Sequence, residues 1–425
     1  MTSALIADLK WRGAFAQSTD EVELAKHLDS GSRTLYIGFD PTAPSLHLGN
    51  LVQMTMLRRF QLAGHKPIAL VGGATGLVGD PSGRSAERTL NDEEIVAQWL
   101  ERIRKQLEGF LDFKAPKNAA TMANNLDWTA PVSALNFLRD IGKHFSVNQM
   151  LAKDSVSARL ESGGISYTEF SYQVLQAYDF LELFRRANCT LQLGGSDQWG
   201  NITAGLDLIR KVTGESAYAL SVPLLTKSDG EKFGKTVTGS IWLDPTMTSP
   251  YAFYQFFINS DDRDVEKLLK IFSFKTHVEI EELLKSLATN PGAREAHRAL
   301  AQELTTSIHG EDACTKVEVA AKALFGQGEI TDLDAATLAG ALAELPRTTI
   351  NSSSEIPTWV DLIVATGVCE SKSAARRIIK EGGAYLNNKK ITAEDFAPTA
   401  SDLIAGKFLV LRKGKRDLAA VELIK

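Results

Sequence analysis

The sequence has few cysteines and no long apolar run. The 425 residues include three cysteines, Cys189, Cys314 and Cys369, which lie far apart. No Cys-x-x-Cys pair occurs, which argues against a disulfide framework or a zinc site and favours a reducing, cytoplasmic location. No stretch approaches the roughly 18 apolar residues needed to cross a bilayer, and no basic region followed by an apolar segment opens the chain. We therefore expect a protein that is neither exported nor membrane-embedded.

The composition is that of a globular protein with two or three domains. Hydrophobic residues make up 44% and charged residues 23%, which allows a large core and argues against disorder. The net charge is −5, but residues 356–425 contain twelve Lys or Arg and eight Asp or Glu, a charge of +4 that leaves −9 for the rest. Because a modest basic excess is often only a solvated face, charge alone leaves nucleic-acid binding open.

The stretch 36–50 is the most informative, with the sequence Tyr-Ile-Gly-Phe-Asp-Pro-Thr-Ala-Pro-Ser-Leu-His-Leu-Gly-Asn. It predicts a buried strand over 34–39, a turn at the first proline and a helix over about 46–63. The N-terminus of such a helix has free backbone N–H groups and the positive end of the helix dipole. It therefore favours a bound phosphate.

Polar side chains in the first turn of this helix would add to that preference. His47 and Asn50 can both donate hydrogen bonds, and Gly49 lets a flat ring approach the backbone. A lone histidine at a helix start is more often a cap or a packed surface residue. The four-residue pattern alone is therefore a weak signal.

A second strand, 66–71, leads into a glycine-rich segment over 72–84. Strand, helix and strand in this order predict a parallel sheet, which we expect to be doubly wound in the α/β fold that the whole chain suggests. The glycines satisfy neither the Walker spacing nor Gly-x-Gly-x-x-Gly, so by fingerprint rules the segment is a tight turn after a strand.

A predicted helix over 170–180 combines apolar residues with a polar stripe. Tyr172, Gln176 and Asp179 are spaced i, i+4, i+7 and share one face. Such a stripe is usually solvated, but the surrounding residues indicate a largely buried helix, in which unpaired polar groups are costly. These three side chains should therefore meet a ligand or a hydrogen-bond network.

Two further loops follow predicted strands. The strand 190–193 precedes Gly-Gly-Ser-Asp-Gln-Trp-Gly-Asn at 194–201, and the strand 222–226 precedes Lys-Phe-Gly-Lys-Thr at 232–236. Ligands of a doubly wound sheet bind at the carboxyl ends of its strands, so the first loop can share a crevice with His47. The second loop is cationic and glycine-rich, although without context it would be an exposed hairpin tip.

Together these segments resemble the bacterial-type tyrosyl-tRNA synthetases of class I. His-Leu-Gly-Asn is similar to the His-x-Gly-His signature, with Asn50 in place of the second histidine, and Lys-Phe-Gly-Lys-Thr is similar to Lys-Met-Ser-Lys-Ser. An amide can donate a hydrogen bond but carries no proton at neutral pH. In the reaction of this family the carboxylate of the substrate tyrosine attacks ATP. That carboxylate is already ionised at neutral pH, so no proton transfer is needed at position 50.

The resemblance implies an α/β fold with a Rossmann-like catalytic domain and the activity of a tyrosine–tRNA ligase. Such an enzyme activates L-tyrosine with ATP to tyrosyl-adenylate and pyrophosphate, then transfers the tyrosyl group to the 3′-terminal ribose of tRNA(Tyr). ATP is a substrate, as its Mg²⁺ complex. The resemblance implies no permanently bound cofactor, no protein metal site, and a homodimer.

The resemblance also assigns roles to matching residues. The catalytic group is His47, Asn50, Lys232, Lys235 and Thr236. The tyrosine-binding group is Tyr36, Asp80, Tyr172, Gln176, Asp179 and Gln198. The ATP-binding group is Asp40, Thr42, His47, Gly49, Asn50, Arg84, Arg88, Gly195, Asp197, Lys232 and Lys235.

We expect four segments along the chain. A catalytic domain over 1–245 contains a helical insertion at about 91–160, and an α-helical anticodon-side domain covers 246–330. A linker over 331–357 leads to an RNA-binding domain, 358–425, which resembles a module of a small-subunit ribosomal protein. Its basic residues suit an RNA backbone. They are Lys372, Arg376, Arg377, Lys380, Lys389, Lys390, Arg412 and Lys413.

Two alternatives stay open on the residues alone. A tryptophanyl synthetase or a small nucleotidylyltransferase would share the sheet and the His-x-Gly pattern, but Tyr36 with Asp179 and the C-terminal module argue against both. An RNA-binding protein that has lost the chemistry is the alternative from another class. The intact lysines 232 and 235 argue against it.

Overall fold

The structure is a computed structural model that describes residues 3–82, 92–153, 156–157, 159–160, 164–230, 233–236, 239–324, 328–330, 333–351, 355–414 and 417–424. The helices are α1 Ala4–Trp11, α2 Glu21–Asp29, α3 Leu48–Leu62, α4 Thr75–Val78, α5 Glu93–Phe110, α6 Leu126–Thr129, α7 Ala134–Asn136, α8 Val147–Leu151, α9 Tyr167–Ala187, α10 Trp199–Thr213, α11 Pro250–Ile258, α12 Asp262–Phe272, α13 His277–Thr289, α14 Glu295–His309, α15 Glu311–Leu324, α16 Ala335–Ala343, α17 Trp359–Ala365 and α18 Lys372–Lys380. None of the described helices is long and apolar enough to span a membrane.

Thirteen strands are present in the described part of the chain. They are β1 Gln17–Ser18, β2 Thr34–Phe39, β3 Lys66–Val71, β4 Thr121–Asn124, β5 Cys189–Gly195, β6 Tyr218–Val222, β7 Lys235–Thr236, β8 Gly239–Ser240, β9 Arg347–Asn351, β10 Ala384–Leu386, β11 Lys389–Lys390, β12 Phe408–Lys413 and β13 Asp417–Ile424.

Six strands form one sheet in the order β1-β6-β5-β2-β3-β4. All neighbours in it are parallel except β1, which runs antiparallel to β6. The chain leaves β2 in one direction toward β3 and β4, and later returns on the other side through β5 and β6. This is the doubly wound arrangement that the sequence predicts, with its switch point between β2 and β5, where ligands bind in such sheets.

The strands beside the switch point match the sequence pattern closely. β2 and β3 have the predicted bounds, and β5 extends the predicted strand to Gly195. The prediction of a strand over 222–226 is wrong, since β6 ends at Val222. Pro223 follows directly, and a residue without a backbone N–H cannot continue a strand between two neighbours.

The segment expected as a helical insertion, 91–160, also contributes a strand. β4 pairs in parallel with β3 at the edge of the sheet, and no β4 residue is fully buried. A short half-exposed edge strand lacks the apolar alternation by which strands are recognised. The helix predicted over 132–138 is a short α7 followed by a π-turn at Phe137–Ile141. In the helix predicted over 147–160, α8 covers the first five residues, and residues 156, 157, 159 and 160 are helical as well.

The chain forms two compact units. The first contains Met1–Asp244 and Ser260–Ala296, and the second contains Pro245–Asn259 and His297–Lys425. The segment expected as one helical domain, 246–330, is therefore divided between them. Within the segment predicted as a linker, 331–357, α16 packs near α11 and α15, and β9 pairs in parallel with β13.

The second unit ends in a five-stranded sheet of order β11-β10-β12-β13-β9. Asn387 and Asn388 form the turn between β10 and β11 with φ angles of 48° and 67°, which asparagine tolerates better than most residues. Nδ2 of Asn388 donates to the carbonyl of Ala323 at 2.6 Å. The hairpin is thereby attached to the end of α15. Trp359 at the start of α17 is fully buried in the core of this part.

Candidate active site

The N-terminus of α3 is closed by a capping box between His47 and Asn50. Nδ1 of His47 accepts from the N–H of Gly49 at 3.0 Å, and Oδ1 of Asn50 accepts from the N–H of His47 at 3.1 Å. Because Nδ1 is an acceptor, the proton of the neutral ring lies on Nε2, an assignment made from the hydrogen bond. Asn50 uses its oxygen in the cap and keeps its two Nδ2 hydrogens as donors. The departure from a second histidine therefore preserves a donor at the helix start.

Two glycines make room for functional side chains. A Cβ on Gly49 would lie 2.8 Å from Cε1 of His47, and one on Gly72 would lie 2.0 Å from Oδ1 of Asp40. Both distances are shorter than van der Waals contact, so a side chain at either position would displace its neighbour. In this structure the ring that lies against Gly49 is the imidazole of His47.

A chain of hydrogen bonds connects the carboxyl ends of β2, β3 and β4 with helix α9. The hydroxyl of Tyr172 donates to Oδ2 of Asp40 at 2.7 Å, and Oγ1 of Thr75 donates to Oδ1 of Asp40 at 2.7 Å. Nδ2 of Asn125 lies 2.9 Å from both Oγ1 of Thr75 and Oδ2 of Asp179. The two carboxylates are therefore fixed by one continuous network.

Asp179 lies at the closed end of this network. It is 2% exposed, and its Oδ1 accepts from Nε1 of Trp128 at 2.8 Å while its Oδ2 accepts from Asn125. Burial raises the pKa of Asp179 to about 7, although the hydrogen bonds from Asn125 and Trp128 favour the charged form and oppose that rise. A carboxylate has about four acceptor positions, so two hydrogen bonds leave it able to accept a third donor.

Two buried polar atoms beside this network have no hydrogen-bond partner among the described residues. They are the hydroxyl oxygen of Tyr36, a residue that is 1% exposed, and Oε1 of Gln176. Burial, and secondly the charge of Asp179, raise the pKa of the Tyr36 phenol well above its usual value, so it stays a donor. Since buried polar groups are nearly always paired, these two atoms indicate a place for a polar ligand.

The loop after β5 supplies a second polar group. Nε2 of Gln198 donates to Oδ2 of Asp80 at 2.7 Å, and Oε1 of Gln198 accepts from Nδ2 of Asn201 at 3.1 Å. Oδ1 of Asp80 accepts from the N–H of Ser82 at 2.9 Å. The Gln198 amide is therefore held in one orientation, with Asn201 as its support.

The remaining predicted nucleotide contacts lie on the same edge of the sheet. A Cβ on Gly195 would lie 2.4 Å from Oδ1 of Asp197, so the glycine allows that carboxylate to fold back over the end of β5. Thr42 is exposed in the turn after β2, and its N–H donates to the carbonyl of Asp40 at 2.9 Å.

The Lys-Phe-Gly-Lys-Thr segment is joined to the start of α3. The N–H of Leu48 donates to the carbonyl of Ile241 at 3.1 Å, and the N–H of Ile241 donates to the carbonyl of Gly234 at 2.9 Å. Gly234 has φ 79°, and a Cβ on it would lie 2.8 Å from Cβ of Leu48. Of the predicted site residues, those outside the described residues are Arg84, Arg88 and Lys232. Those described only in their backbone are Lys235 and Thr236, which form β7.

The predicted RNA-binding residues lie on one module of the second unit, and most have an acidic partner. Nζ of Lys372 is 2.6 Å from Asp361, and Glu394 is 3.1 Å from Nζ of Lys380 and 3.9 Å from Nε of Arg376. The other predicted residues have varied surroundings. Arg377 is 3.8 Å from Glu381, Lys413 is 3.7 Å from Asp417, the Arg412 guanidinium lies 4.0 Å above the Tyr385 ring, and Lys389 and Lys390 are exposed on β11.

Four residues of the network were missed by sequence reasoning. Asn125 and Trp128 follow β4, a strand that the sequence analysis did not recognise, although its carboxyl end meets the same sheet edge as Asp40. Thr75 lies inside the glycine-rich segment and Asn201 at the end of the loop 194–201, and neither was given a role. No group of three or more His, Cys, Asp or Glu that could hold a metal ion exists among the described residues.

Comparison with known proteins identifies the family. The profile described as "tRNA synthetases class I (W and Y)" matches residues 29–326, and that of the "Tyrosine--tRNA ligase SYY-like C-terminal domain" matches residues 337–421. The tyrosine–tRNA ligase of Streptomyces avermitilis is 60% identical over 420 residues, 98% of each chain, and that of Streptomyces griseus is also 60% identical with the same coverage.

A solved structure agrees with this assignment. The C-terminally truncated mitochondrial tyrosyl-tRNA synthetase of Aspergillus nidulans has a TM-score of 0.69 and 31% identity, covering 76% of this chain and 94% of the other. The tryptophanyl alternative is set aside, because the full-length relatives and the C-terminal profile are those of tyrosine–tRNA ligases. The chain belongs to the bacterial-type tyrosine–tRNA ligases of the class I tRNA synthetase family.

Proposed function

We propose that this chain activates L-tyrosine with ATP and transfers the tyrosyl group to the 3′-terminal ribose of tRNA(Tyr). The single observation that carries the choice of amino acid is the phenol of Tyr36, which has no hydrogen-bond partner among the described residues, beside the buried carboxylate of Asp179. A phenol substrate between them could donate to the carboxylate and accept from Tyr36. Phenylalanine would leave the buried Tyr36 hydroxyl without a partner, and it would leave Asp179 with only its two protein donors, Asn125 and Trp128. Tyrosyl-tRNA synthetases are the standard example of that form of rejection.

The other end of the amino acid requires different groups. Asp80 is a carboxylate that can face the ammonium group, and Tyr172 and Gln176 extend from α9 on the face that also holds Asp179. The burial of the Tyr172 phenol and the charge of Asp40 raise its pKa well above the usual value, so it stays protonated. Gln198, oriented by Asp80 and Asn201, is a donor for the substrate carboxylate.

The nucleotide occupies the other side of the crevice in this proposal. His47 and Asn50 present donors at the positive end of α3, and Gly49 keeps that approach open. Gly195 and Asp197 suit the ribose at the end of β5. The remaining ATP contacts come from the turn after β2 and from basic residues that meet the phosphates. They are assigned to Asp40, Thr42, Arg84, Arg88, Lys232 and Lys235, while Thr236 is assigned to the catalytic group.

The first reaction step needs no protein base. An oxygen of the tyrosine carboxylate attacks the α-phosphorus, the bond from that phosphorus to the bridging oxygen breaks, and pyrophosphate leaves with its electron pair. Donors that meet the growing charge of the leaving group lower the barrier, and this is the role of His47, Asn50 and the two lysines. In the second step a hydroxyl oxygen of the tRNA ribose attacks the tyrosyl carbonyl carbon, the bond from that carbon to the phosphate oxygen breaks, AMP leaves with its electron pair, and the hydroxyl proton passes to the released phosphate or to water. Mg²⁺ enters as part of the ATP substrate.

The C-terminal module is proposed to bind tRNA through its basic side chains. The exposed lysines of β11 and the basic residues of α18 can meet phosphates, while the Arg412 guanidinium stacked on Tyr385 offers a flat surface for a base. We infer that this chain works in the cytoplasm, where a bacterial-type tyrosine–tRNA ligase supplies charged tRNA to ribosomes.

A homodimer is the proposed assembly. Several large apolar side chains around α7, α8 and the start of α9 are exposed, among them Leu135, which is 80% exposed, and Tyr167, which is 72% exposed. A cluster of this kind is typical of a surface that another protein covers. Sedimentation of the wild type and of Leu135→Glu tests this assembly: the wild type should sediment as a dimer and the variant as a monomer.

Pyrophosphate exchange with each of the common amino acids tests the activity. Tyrosine alone should support rapid exchange, and purified tRNA(Tyr) should then be charged in the same preparation. Exchange with tryptophan and not with tyrosine, or no exchange with any amino acid, would refute the proposal.

A further inference from the structure

Helix α12 contacts the base of the Lys-Phe-Gly-Lys-Thr segment through a buried carboxylate. Asp264, in the first turn of α12, is 9% exposed; its Oδ1 accepts from the N–H of Ser228 at 2.8 Å and its Oδ2 from the Ser228 hydroxyl at 3.3 Å. A buried carboxylate has lost its hydrogen bonds to water, so it needs hydrogen-bond donors from the protein in their place. Here both donors come from one residue of the loop, four positions before Lys232.

Two further contacts join the same helix to the same loop. Nζ of Lys267 donates to the carbonyl of Thr226 at 2.8 Å, and the rings of Phe272 and Phe233 are 5.8 Å apart. Phe233 also donates its N–H to the carbonyl of Leu225 at 3.1 Å. The loop is thus attached to α12 both before residues 231 and 232, through Thr226 and Ser228, and after them, through Phe233.

The other end of α12 is fixed to the helix that carries His47. Arg59, on α3, donates to the carbonyls of Ile271 at 3.0 Å and Ser273 at 2.6 Å. Arg12 donates to the carbonyl of Ser273 at 3.0 Å as well. Both guanidinium groups are buried at the end of α12, where the helix dipole favours cations. α12 therefore connects the two signature segments from behind the site.

We propose that Asp264 is a positioning residue for adenylate formation, which acts by holding Ser228 so that Lys232 and Lys235 meet the leaving pyrophosphate. The inference rests on the function proposed above. In that proposed function Asp264 touches neither tyrosine nor ATP. Its effect on the reaction must therefore pass through the loop that contains Ser228. Donors that strengthen their contact only as charge develops affect the rate of the step and not the binding of tyrosine.

Three variants separate this role from a general effect on folding. Asp264→Ala removes the acceptor from the helix side. Ser228→Pro removes both donors from the loop side without changing α12, at the first central position of a turn closed by the N–H of Gly230, where proline is favoured. Glu266→Ala is the matched control, because Glu266 is exposed on the same helix and pairs only with Lys270, at 2.7 Å, among the described residues.

The test is the single-turnover rate of tyrosyl-adenylate formation at saturating substrates, with tyrosine affinity measured separately. Asp264→Ala and Ser228→Pro should each slow the step about tenfold or more, with tyrosine affinity within about twofold of wild type, and Glu266→Ala should match wild type. Asp264→Asn, which keeps an acceptor for the Ser228 N–H, should recover most of the rate. In a Lys235→Ala background, Asp264→Ala should have little further effect.

Wild-type rates in both Asp264→Ala and Ser228→Pro, or losses fully additive with Lys235→Ala, would overturn the inference. If Asp264→Ala does not fold, Ser228→Pro decides the question alone. A wild-type protein without tyrosine-dependent exchange would instead refute the proposed function, so the two failures are distinguishable.

Discussion

The pocket around Asp179 and the basic face of the C-terminal module use charge in opposite ways. In the pocket one carboxylate is 2% exposed, and two protein donors hold it in place. On the module, Lys380 and Arg376 share a single exposed carboxylate, Glu394, at 3.1 and 3.9 Å. The pocket depends on one buried carboxylate. The basic face depends on the combined charge of many exposed side chains.

Solvent explains the difference in what a single side chain can do. Inside the pocket an unmatched donor or acceptor cannot turn to water, so removing one partner costs about 1–3 kcal/mol, and more if the group left behind is charged. Exposed ion pairs typically contribute about 0.2–1 kcal/mol and weaken with salt. One substitution should therefore disable the pocket, whereas the basic face should lose affinity in small steps.

Replacing Asp179 should have the largest effect. Asp179→Ala leaves Nε1 of Trp128 and Nδ2 of Asn125 without their acceptor and removes the acceptor for the substrate phenol. We expect kcat/KM for tyrosine in pyrophosphate exchange to fall by at least about 100-fold. Glu182→Gln is the control, because Glu182 lies one turn along the same helix and pairs with Arg185 and Arg186. A loss of similar size in the control would show that α9 had been disturbed as a whole.

Tyrosine binding should release protons near neutral pH. The pKa of Asp179 is raised to about 7, so half of the carboxyl groups are protonated there, and a donor phenol favours the ionised form and lowers that pKa on binding. Affinity for tyrosine should then rise about tenfold from pH 6 to pH 8. Calorimetry in two buffers of different ionisation enthalpy measures the released protons, and Asp179→Asn should abolish them. Proton uptake by the wild type would contradict the assignment.

The same raised pKa has a consequence for folding. Below the usual carboxyl pKa of about 4, Asp179 is neutral in both the folded and the unfolded chain. Between about pH 4 and pH 7 the unfolded chain ionises this carboxyl while the folded chain keeps it protonated, so its contribution to the free energy of unfolding falls across that window and levels off above it.

Charge changes on the basic face should have the smallest effects. Some should raise the affinity for tRNA and others should lower it. Glu394→Gln leaves Lys380 and Arg376 available to phosphates, so it should strengthen tRNA binding a few-fold at low salt, while Arg376→Gln should weaken it a few-fold. Glu370→Gln, at another exposed acid of the same module, is the matched control. Filter binding over a range of salt concentrations measures all three. An effect of Glu394→Gln that persists at high salt would show that the carboxylate has a structural role instead.

Sequence reasoning succeeded where local pattern and burial agree. β2 and β3 are long apolar strands followed by turn residues, and the face shared by Tyr172, Gln176 and Asp179 follows from helical spacing alone. It failed where an element depends on its neighbours. β4 is a half-exposed edge strand that exists because β3 pairs with it, and the residues that follow it, Asn125 and Trp128, could not be placed without it.

Strand β9, which lies inside the expected linker, was missed for the same reason. Arg347–Asn351 has an alternating burial pattern with no fully buried residue, and its partner β13 lies about 70 residues further along the chain. Nothing local distinguishes such a strand from a polar connection. Long-range pairing, not composition, makes this segment part of the C-terminal sheet.

The most direct test of the account is the ratio of kcat/KM for tyrosine to kcat/KM for phenylalanine, measured by pyrophosphate exchange in wild type and in Tyr36→Phe. The variant removes one hydroxyl, whose oxygen has no hydrogen-bond partner among the described residues, and leaves Asp179 in place. One neutral hydrogen bond to the substrate phenol corresponds to about a three- to tenfold fall in the ratio. Tyr178→Phe, the same change beside Asp179 on α9, should leave the ratio as in wild type. An unchanged ratio in Tyr36→Phe would contradict the claim that Tyr36 and Asp179 together recognise the phenol.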